Sequence, residues 1–194
     1  MSVRMDNGAR KRQVLETALR IVDTEGIHSL TLRKIAENVG ITEAALFRHF
    51  KGKEDIVSSM ANTVFEENQY VPRGESPLQT LENMLTWQLE KFQDHPHHTS
   101  VLFQEDIFRE YPSIRERFDL RRTSRSTLIH QLIKEGKRQG EFAPDVDEEA
   151  FTLLYMGSIR MAVLEWRHSG FSYDLRSRSA PILNMLRKCL GVSL

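Results

Sequence analysis

The sequence predicts an all-α protein, and three observations support this fold class. Apolar residues recur with the period of amphipathic helices along most of the 194 residues. The alternating pattern of β-strands is nearly absent, and segments containing glycine or proline interrupt the helical periodicity. These observations predict about nine helices, arranged as an N-terminal three-helix domain with a helix-turn-helix and a C-terminal helical bundle.

The first two predicted helices share one small core. The first carries Val14 and Ala18 on its apolar face and ends at Gly26, a typical C-terminal stop. Thr31 is a suitable N-cap for the second helix, which ends at Gly40. A third helix following so closely is predicted to pack against the second, as in a helix-turn-helix.

The third predicted helix begins after Thr42 and buries Leu46 and Phe50. A second helix packed in this way against a first is how many proteins place a helix in the DNA major groove. Small residues in its first turn allow the backbone to approach base edges. Glu43 has two interpretations: it accepts a hydrogen bond from a cytosine amine, or it only favours the helix dipole.

Six further helices are predicted beyond residue 53. The first of them starts near residues 54–55 and runs to about residue 70, before a breaker segment at 71–77. The others are expected from residue 78 to a stop at 94–96, over 99–109, from an N-cap at Ser113 to about 139, from Asp147 to His168, and from about Asp174 to the C-terminal end.

The distribution of charge is uneven, although the chain holds 27 basic and 27 acidic side chains. Residues 1–53 carry a formal charge of +4 and residues 54–194 carry −4. This sign is expected if the front of the chain meets DNA phosphates and the rest does not. We therefore predict a DNA-binding domain at 1–53 and a second domain at 54–194.

The expected location is the cytoplasm, because the single cysteine, Cys189, allows no intrachain disulfide. No run of about 18 apolar residues suggests a membrane span. The N-terminal residues also lack the apolar core of a signal peptide. We expect no membrane association.

Residues 10–56 resemble the DNA-binding domain of the TetR (tetracycline-repressor) family. The matching motifs occur in the family's order: Thr31, Arg33 and Ile35-Ala36, then Gly40-Ile41-Thr42, then Leu46-Phe47-Arg48-His49-Phe50, then Lys53 before Glu54-Asp55-Ile56. The resemblance implies that DNA is contacted by Thr31, Arg33, Thr42, Glu43, Ala44, Phe47, His49 and Lys53.

The resemblance also implies a role for each of these residues. Thr31 would bind phosphate as well as cap its helix, and Arg33 would contact guanine. His49 and Lys53 would bind phosphates, with Lys53 assisted by the dipole of the fourth helix. The first turn of the third helix would face the groove.

Three positions depart from the family pattern. Phe47 stands where a tyrosine is usual, so it keeps the ring that packs on the sugar-phosphate backbone but loses a phosphate hydrogen bond. Ala44 replaces a common glycine or proline, which bears on base specificity. Gly52 replaces a common serine and weakens a helix cap slightly.

The C-terminal part shows no catalytic motif. A glycine-rich phosphate loop, a nucleophile elbow and a His-Glu-x-x-His metal motif are all missing from the sequence, so we predict neither an enzyme nor a cofactor or metal site. The histidine-rich segment 94–98 is interpreted as a loop. The arginine-rich stretch from Arg115 to Arg125 is interpreted as a solvated face, with one alternative: an inward arginine pairs with an acidic ligand.

In the family that the chain resembles, the C-terminal region binds a small-molecule inducer and forms a dimer. Aromatic residues and methionines on the predicted helix faces are candidates for an apolar pocket, with ordinary core packing as the alternative. These candidates are Trp87, Phe92, Phe103, Ile107, Phe108, Tyr155, Met156 and Met161.

The last two predicted helices carry two long apolar faces, more than a terminal pair needs. Two copies related by a two-fold axis would form a four-helix interface, so a homodimer through these helices is predicted. The faces are Phe151-Leu154-Ser158-Ile159-Ala162-Trp166 and Ile182-Met185-Leu186-Cys189.

The functional hypothesis is a sequence-specific transcriptional regulator, a ligand-responsive repressor that binds a palindromic operator in double-stranded DNA as a dimer. An inducer would shift the population towards a spacing of the two DNA-binding heads that does not fit the operator. Two alternatives remain open. One is an architectural DNA-binding protein or an activator, and the other is a helical small-molecule binding protein without a DNA role.

Overall fold

Residues 7–192, the part of the chain that this computed structural model describes, contain ten α-helices and no β-strand. The predicted all-helical fold is thereby confirmed. The helices are α1 (Asn7–Glu25), α2 (Leu32–Val39), α3 (Glu43–Leu46), α4 (Lys53–Glu67), α5 (Pro77–Asp94), α6 (His98–Phe103), α7 (Glu105–Glu110), α8 (Pro112–Arg138), α9 (Glu148–His168) and α10 (Ser179–Cys189), with short 3₁₀ helices at Ile27–Ser29 and Leu175–Arg178. Within residues 7–192, none of the helices combines the length and the apolarity needed to cross a membrane.

The described chain forms two compact units. The first contains residues up to 67 together with 97–116, and the second contains residues 68–96 together with 117 onwards. Helices α1–α4, α6 and α7 belong to the first unit, while α5, α9 and α10 belong to the second. The predicted boundary between a DNA-binding domain at 1–53 and a second domain at 54–194 stays a prediction.

The core of the first unit forms around α1, which contacts α2, α4 and α6. Val14 and Ala18 of α1 and Leu46 of α3 are buried, as their helical spacing predicted, and Ile35 of α2 and Ile56 of α4 are buried with them. Each fully buried aliphatic side chain of this size stabilises the fold by about 1.5–3 kcal/mol. This shared core holds α3 against α2.

The second unit packs α5 against α9 and α10. Its two largest buried aromatic residues, Tyr155 and Trp166, also have their polar atoms satisfied. The Tyr155 hydroxyl donates to the Leu81 carbonyl oxygen at 2.7 Å, and Trp166 Nε1 donates to the Tyr173 carbonyl oxygen at 2.7 Å. Each hydrogen bond removes the cost of burying a polar atom without a partner.

The helix that was predicted over residues 99–109 is two helices, α6 and α7. Gln104 between them is extended, with φ −98° and ψ 123°, so the helical hydrogen-bond pattern stops there. The sequence around Gln104 holds no glycine or proline that would signal this break. The structure therefore has one α-helix more than expected.

Three further helix boundaries differ from the prediction. Helix α4 ends at Glu67, earlier than the predicted end near residue 70. Helix α8 begins at Pro112, a residue suited to a first helical position because it lacks an N–H, so Ser113 lies inside the helix. Asp174 caps a 3₁₀ helix by accepting from the Arg176 N–H at 3.0 Å, and α10 begins only at Ser179.

Candidate nucleic-acid interface

Two capping hydrogen bonds and one backbone conformation define the ends of α2 and the start of α3. Thr31 Oγ1 accepts a hydrogen bond from the Lys34 N–H at 3.1 Å, and Thr42 Oγ1 accepts one from the Ala45 N–H at 3.2 Å. Both threonines are therefore N-caps, as predicted. Gly40 adopts a left-handed conformation with φ 76°, which strains any residue with a side chain even though the space beside it is open.

Helix α3 presents its first turn to solvent. Leu46 and Phe50 are buried, whereas Thr42, Glu43 and Ala44 are exposed. Its regular part is only one turn long, and the chain continues in turns until the Phe50 N–H donates to the Leu46 carbonyl oxygen at 3.0 Å. A short helix anchored at its far end leaves small and polar groups at its tip.

Phe47 lies exposed beside this tip, with 55% of its surface accessible. The exposed ring is therefore available to pack on a partner. His49 differs from Phe47 because it is half-buried, and within residues 7–192 its Nδ1 atom is buried without a hydrogen-bond partner. A buried polar atom of this kind costs about 1–3 kcal/mol until something satisfies it.

Arg33 is the most exposed of the predicted DNA-binding cations, with 80% of its side chain accessible. Its Nε donates to Glu37 Oε1 at 2.8 Å, one helical turn further along α2. This hydrogen bond raises the pKa of Arg33, so the guanidinium stays charged. Because the pair is fully solvated, another acceptor can replace Glu37 at little cost.

Lys53 begins α4, as predicted, but its ammonium group already has a carboxylate partner. Its Nζ lies 3.2 Å from Glu110 Oε1, and the other carboxylate oxygen of Glu110 lies 3.1 Å from His28 Nδ1. Although burial raises the pKa of Glu110, hydrogen bonds from Lys53 and Tyr111 outweigh it, and the net pKa is lowered. A phosphate bound by Lys53 must therefore displace or share the Glu110 carboxylate.

Glu110 is a residue of this surface that the sequence did not indicate. It lies 57 positions from Lys53 along the chain, so no local spacing connects the two residues. Only the packing within the first unit brings α7 to the start of α4.

The eight candidate ligand-lining residues are divided between the two units. Phe103, Ile107 and Phe108 belong to the first unit, and the other five belong to the second. Tyr155 borders a cavity of about 10 Å³, which holds one water molecule at most. Met161 is 57% exposed, and a role of these residues in ligand binding stays a prediction.

Two family profiles match adjoining parts of the chain. Residues 14–60 match the profile of bacterial regulatory proteins of the tetR family, and residues 57–189 match a profile described as the C-terminal region of YsiA-like proteins. The sequence is also 22% identical to the fatty acid metabolism regulator protein of Bacillus subtilis. That similarity covers 90% of this chain and 92% of the relative.

Solved structures have the same fold. The ketosteroid transcriptional regulator KstR2 of Mycobacterium tuberculosis matches with a TM-score of 0.78 and 18% identity, over 100% of this chain and 97% of that one. AibR, solved with isovaleryl coenzyme A and operator DNA, matches with a TM-score of 0.72 and 18% identity, over 91% and 97% of the two chains. The predicted fold, resemblance and regulatory role are confirmed. Because the two profiles together span residues 14–189, the chain belongs to the tetR family of bacterial regulatory proteins, and it is a DNA-binding transcriptional regulator rather than an enzyme.

Proposed function

We propose that the protein is a homodimeric repressor that binds a palindromic operator and releases it when a small molecule binds. One observation carries the DNA-binding part: the exposed turn of Thr42, Glu43 and Ala44, held in place by the buried Leu46 and Phe50. An exposed, rigidly supported helix tip with small side chains fits the major groove.

The proposed contacts fall into two groups. Thr42, Glu43 and Ala44 face base edges, and Arg33 leaves Glu37 to bind guanine through its planar fork of donors. The phosphate and sugar contacts come from Thr31, Phe47, His49 and Lys53. Phosphate contacts set the register of the protein on the duplex, and base contacts set the sequence.

The proposed dimer uses an exposed aliphatic stripe on α9 and α10. Leu153 and Met161 of α9 are 74% and 57% exposed, and Gly157 lies midway between them at the spacing of one helical turn. Met185 of α10 is 60% exposed. Exposed apolar residues grouped in this way mark interaction surfaces, and two such helix pairs form a four-helix interface.

This stripe lies beside the face predicted from the sequence rather than on it. Phe151, Ala162 and Trp166 of that predicted face are buried in the core of their own unit, so they are not available to a second subunit. Leu154, at 55% exposure, is shared by both descriptions. The proposed partner surface is therefore rotated around α9 towards Leu153.

We propose a coenzyme A thioester as the ligand class. Two similarities support it: AibR was solved with isovaleryl coenzyme A, and the relative from Bacillus subtilis is a regulator of fatty acid metabolism. A ligand of this kind lowers DNA affinity if it binds the DNA-incompetent conformation more tightly.

The test of DNA recognition is enrichment of fragments from the organism's own genome by the full-length protein, followed by titration at several salt concentrations. A palindromic fragment should bind about 10³-fold or more tightly than random DNA at the same salt. Equal affinity for enriched and random fragments would overturn the proposal. Addition of acyl-coenzyme A to the complex then tests the response to ligand.

A further inference from the structure

Helix α8 carries a row of side chains that changes from cationic to aliphatic. Arg121, Arg125, Ile129 and Ile133 follow one another at intervals of four residues, the spacing of a continuous ridge on a helix. Ile129 and Ile133 are completely buried in the second unit. Arg121 and Arg125, at the other end of the row, are half-buried.

Arg125 has no anionic partner within residues 7–192. No hydrogen bond or ion pair there involves its guanidinium, and the phenol of Tyr155 acts on its pKa only through electrostatics. Burial lowers the pKa of Arg125, and burial together with the charge of Arg125 lowers the pKa of Arg121 to about 10. At Arg125 the described part of the chain therefore leaves a half-buried positive charge without an anionic partner.

Tyr155 does not supply the missing negative charge. Burial raises the pKa of its hydroxyl, and the hydroxyl donates its proton to the Leu81 carbonyl oxygen. The phenol is thus neutral and cannot serve as the counter-ion of Arg125. The group that complements this place must bring its own negative charge.

Other arginines of the second unit have carboxylate partners in the same structure. Arg122 lies 3.7 Å from Asp119, Arg138 pairs with Glu135, Arg176 with Asp174 and Arg187 with Glu82. These pairs are mostly exposed, where pairing matters little for stability. Arg125 is the reverse case, because it is half-buried and lacks a carboxylate.

We propose that Arg125, together with Arg121, binds the carboxylate or phosphate of an amphiphilic effector. The proposal rests on the ligand-responsive function proposed above, and it places the anionic end of the ligand. A guanidinium binds such oxygens through two parallel hydrogen bonds, which gives both charge and orientation.

Four probes separate the parts of this proposal: decanoate, decanoyl-coenzyme A and decanol, which share one chain length, and coenzyme A alone, which lacks the chain. Each is titrated calorimetrically into the full-length protein. Of decanoate and decanoyl-coenzyme A, the one that binds more tightly should bind at least tenfold more tightly than decanol. Decanoate as the tighter ligand identifies a carboxylate as the bound group, and decanoyl-coenzyme A identifies the phosphates. Decanol binding as tightly as either anion overturns the proposal.

Substitutions then locate the anion. Arg125→Gln should weaken the preferred anion at least tenfold and Arg121→Gln at least threefold, whereas affinity for decanol should change less than twofold. Arg122→Gln is the matched control, an exposed arginine on the same helix whose loss should leave all affinities unchanged. Equal anion affinity for the Arg125→Gln and Arg122→Gln proteins overturns the proposal.

If the Arg125→Gln protein is unfolded, as judged by loss of its helical circular dichroism signal, a variant that keeps the positive charge tests the proposal instead. Arg125→Lys should bind the preferred anion at least threefold more weakly, because lysine lacks the planar fork. Anion affinity equal to that of Arg122→Gln overturns the proposal in this arm.

The failure of this inference differs from a failure of the proposed function. If the wild-type protein does not distinguish its enriched fragment from random DNA, the repressor proposal fails whatever the probes do. If the Arg125→Gln protein still releases operator at the same concentration of decanoyl-coenzyme A as wild type, only the site at Arg125 is refuted. Operator that stays bound in that variant supports it.

Discussion

Lys53 in the first unit and Arg125 in the second are both proposed to bind anions, yet their surroundings differ. Lys53 is near the surface and held by Glu110 at 3.2 Å, whereas Arg125 is half-buried and has no carboxylate within residues 7–192. The difference suggests two kinds of anion site. At Lys53, a DNA phosphate is proposed to replace the Glu110 carboxylate. At Arg125, a ligand is proposed to bring the negative charge that no carboxylate of the described chain supplies.

The exposed surfaces of the two units also differ in polarity. The first unit exposes a polar helix tip with a single aromatic ring, Phe47, and the second exposes the aliphatic stripe of Leu153, Met161 and Met185. Polar surface suits a partner that is rigid, charged and exchanged often. Aliphatic surface suits permanent association with a second copy.

The largest expected effect comes from the aliphatic stripe. Leu153→Asp places a charge in the proposed interface, so the protein should become monomeric and lose at least about 100-fold in operator affinity, because two linked heads bind far more tightly than one. Sedimentation equilibrium and operator titration measure both effects. Leu120→Asp is the control, a leucine of α8 that is 69% exposed and outside the stripe. A dimeric Leu153→Asp protein would refute the interface.

Arg33 should affect one base position strongly. Arg33→Ala should lower operator affinity about 10- to 100-fold and remove the preference at a single base pair, since a bidentate contact to guanine is lost. Binding to a set of operators with every base at each position measures this. Arg138→Ala removes a similar exposed arginine with an intrahelical glutamate partner and should change nothing. A uniform loss on all the operators would contradict the assignment of Arg33.

Lys53 and Glu110 should shift DNA binding in opposite directions. Lys53→Ala should weaken all sequences alike and flatten the salt dependence by about one unit of slope. Glu110→Gln should strengthen DNA binding several-fold, because no carboxylate then competes with the DNA phosphate for the Lys53 ammonium group. Lys137→Ala and Glu148→Gln disrupt a comparable pair, 2.9 Å apart in the second unit, as controls. Weaker DNA binding by Glu110→Gln would show that Glu110 positions Lys53 instead of competing for it.

Arg125 should lower stability when no ligand is present. Arg125→Met removes a half-buried charge and keeps most of the bulk, so the thermal midpoint without ligand should rise by about 2–4 °C. Arg122→Met on the exposed side of α8 should leave it unchanged. A lower midpoint in Arg125→Met would mean that the arginine contributes to the fold rather than to a ligand.

The smallest effect concerns pH. The pKa of Glu110 is lowered in the folded protein, so its contribution to stability is complete above the unfolded value of 4.5 and is lost as pH falls through the lower folded value. Thermal unfolding between pH 6 and pH 3 should therefore show a shallower acid-dependent decline for Glu110→Gln than for wild type. Parallel curves would contradict the lowered pKa.

Local features of the interface could be predicted from the sequence. Thr31 and Thr42 cap helices through N–H groups three residues away, and Gly40 ends a helix through its own backbone conformation. Signals of this kind depend on a few neighbouring residues, so the pattern of residue types contains them. The resemblance to the family rests on the order in which these signals follow one another along the chain.

Features that depend on packing could not be predicted in this way. The pairing of Lys53 with Glu110 joins distant parts of the chain, and the break at Gln104 has no breaker residue. The sequence predicts a mainly solvated arginine-rich stretch in α8, whereas Arg121 and Arg125 are half-buried in the structure. Which side of a charged helix is buried is decided by its neighbours in space.

The most direct test of the central proposal is the ratio of affinities for the enriched operator and for a shuffled sequence of the same composition, measured at one salt concentration. We predict a ratio of about 10³ or more, with two symmetric half-sites about one helical turn, or a multiple of it, apart. A ratio near one would contradict sequence recognition by the Thr42–Ala44 turn, whatever the total affinity for DNA.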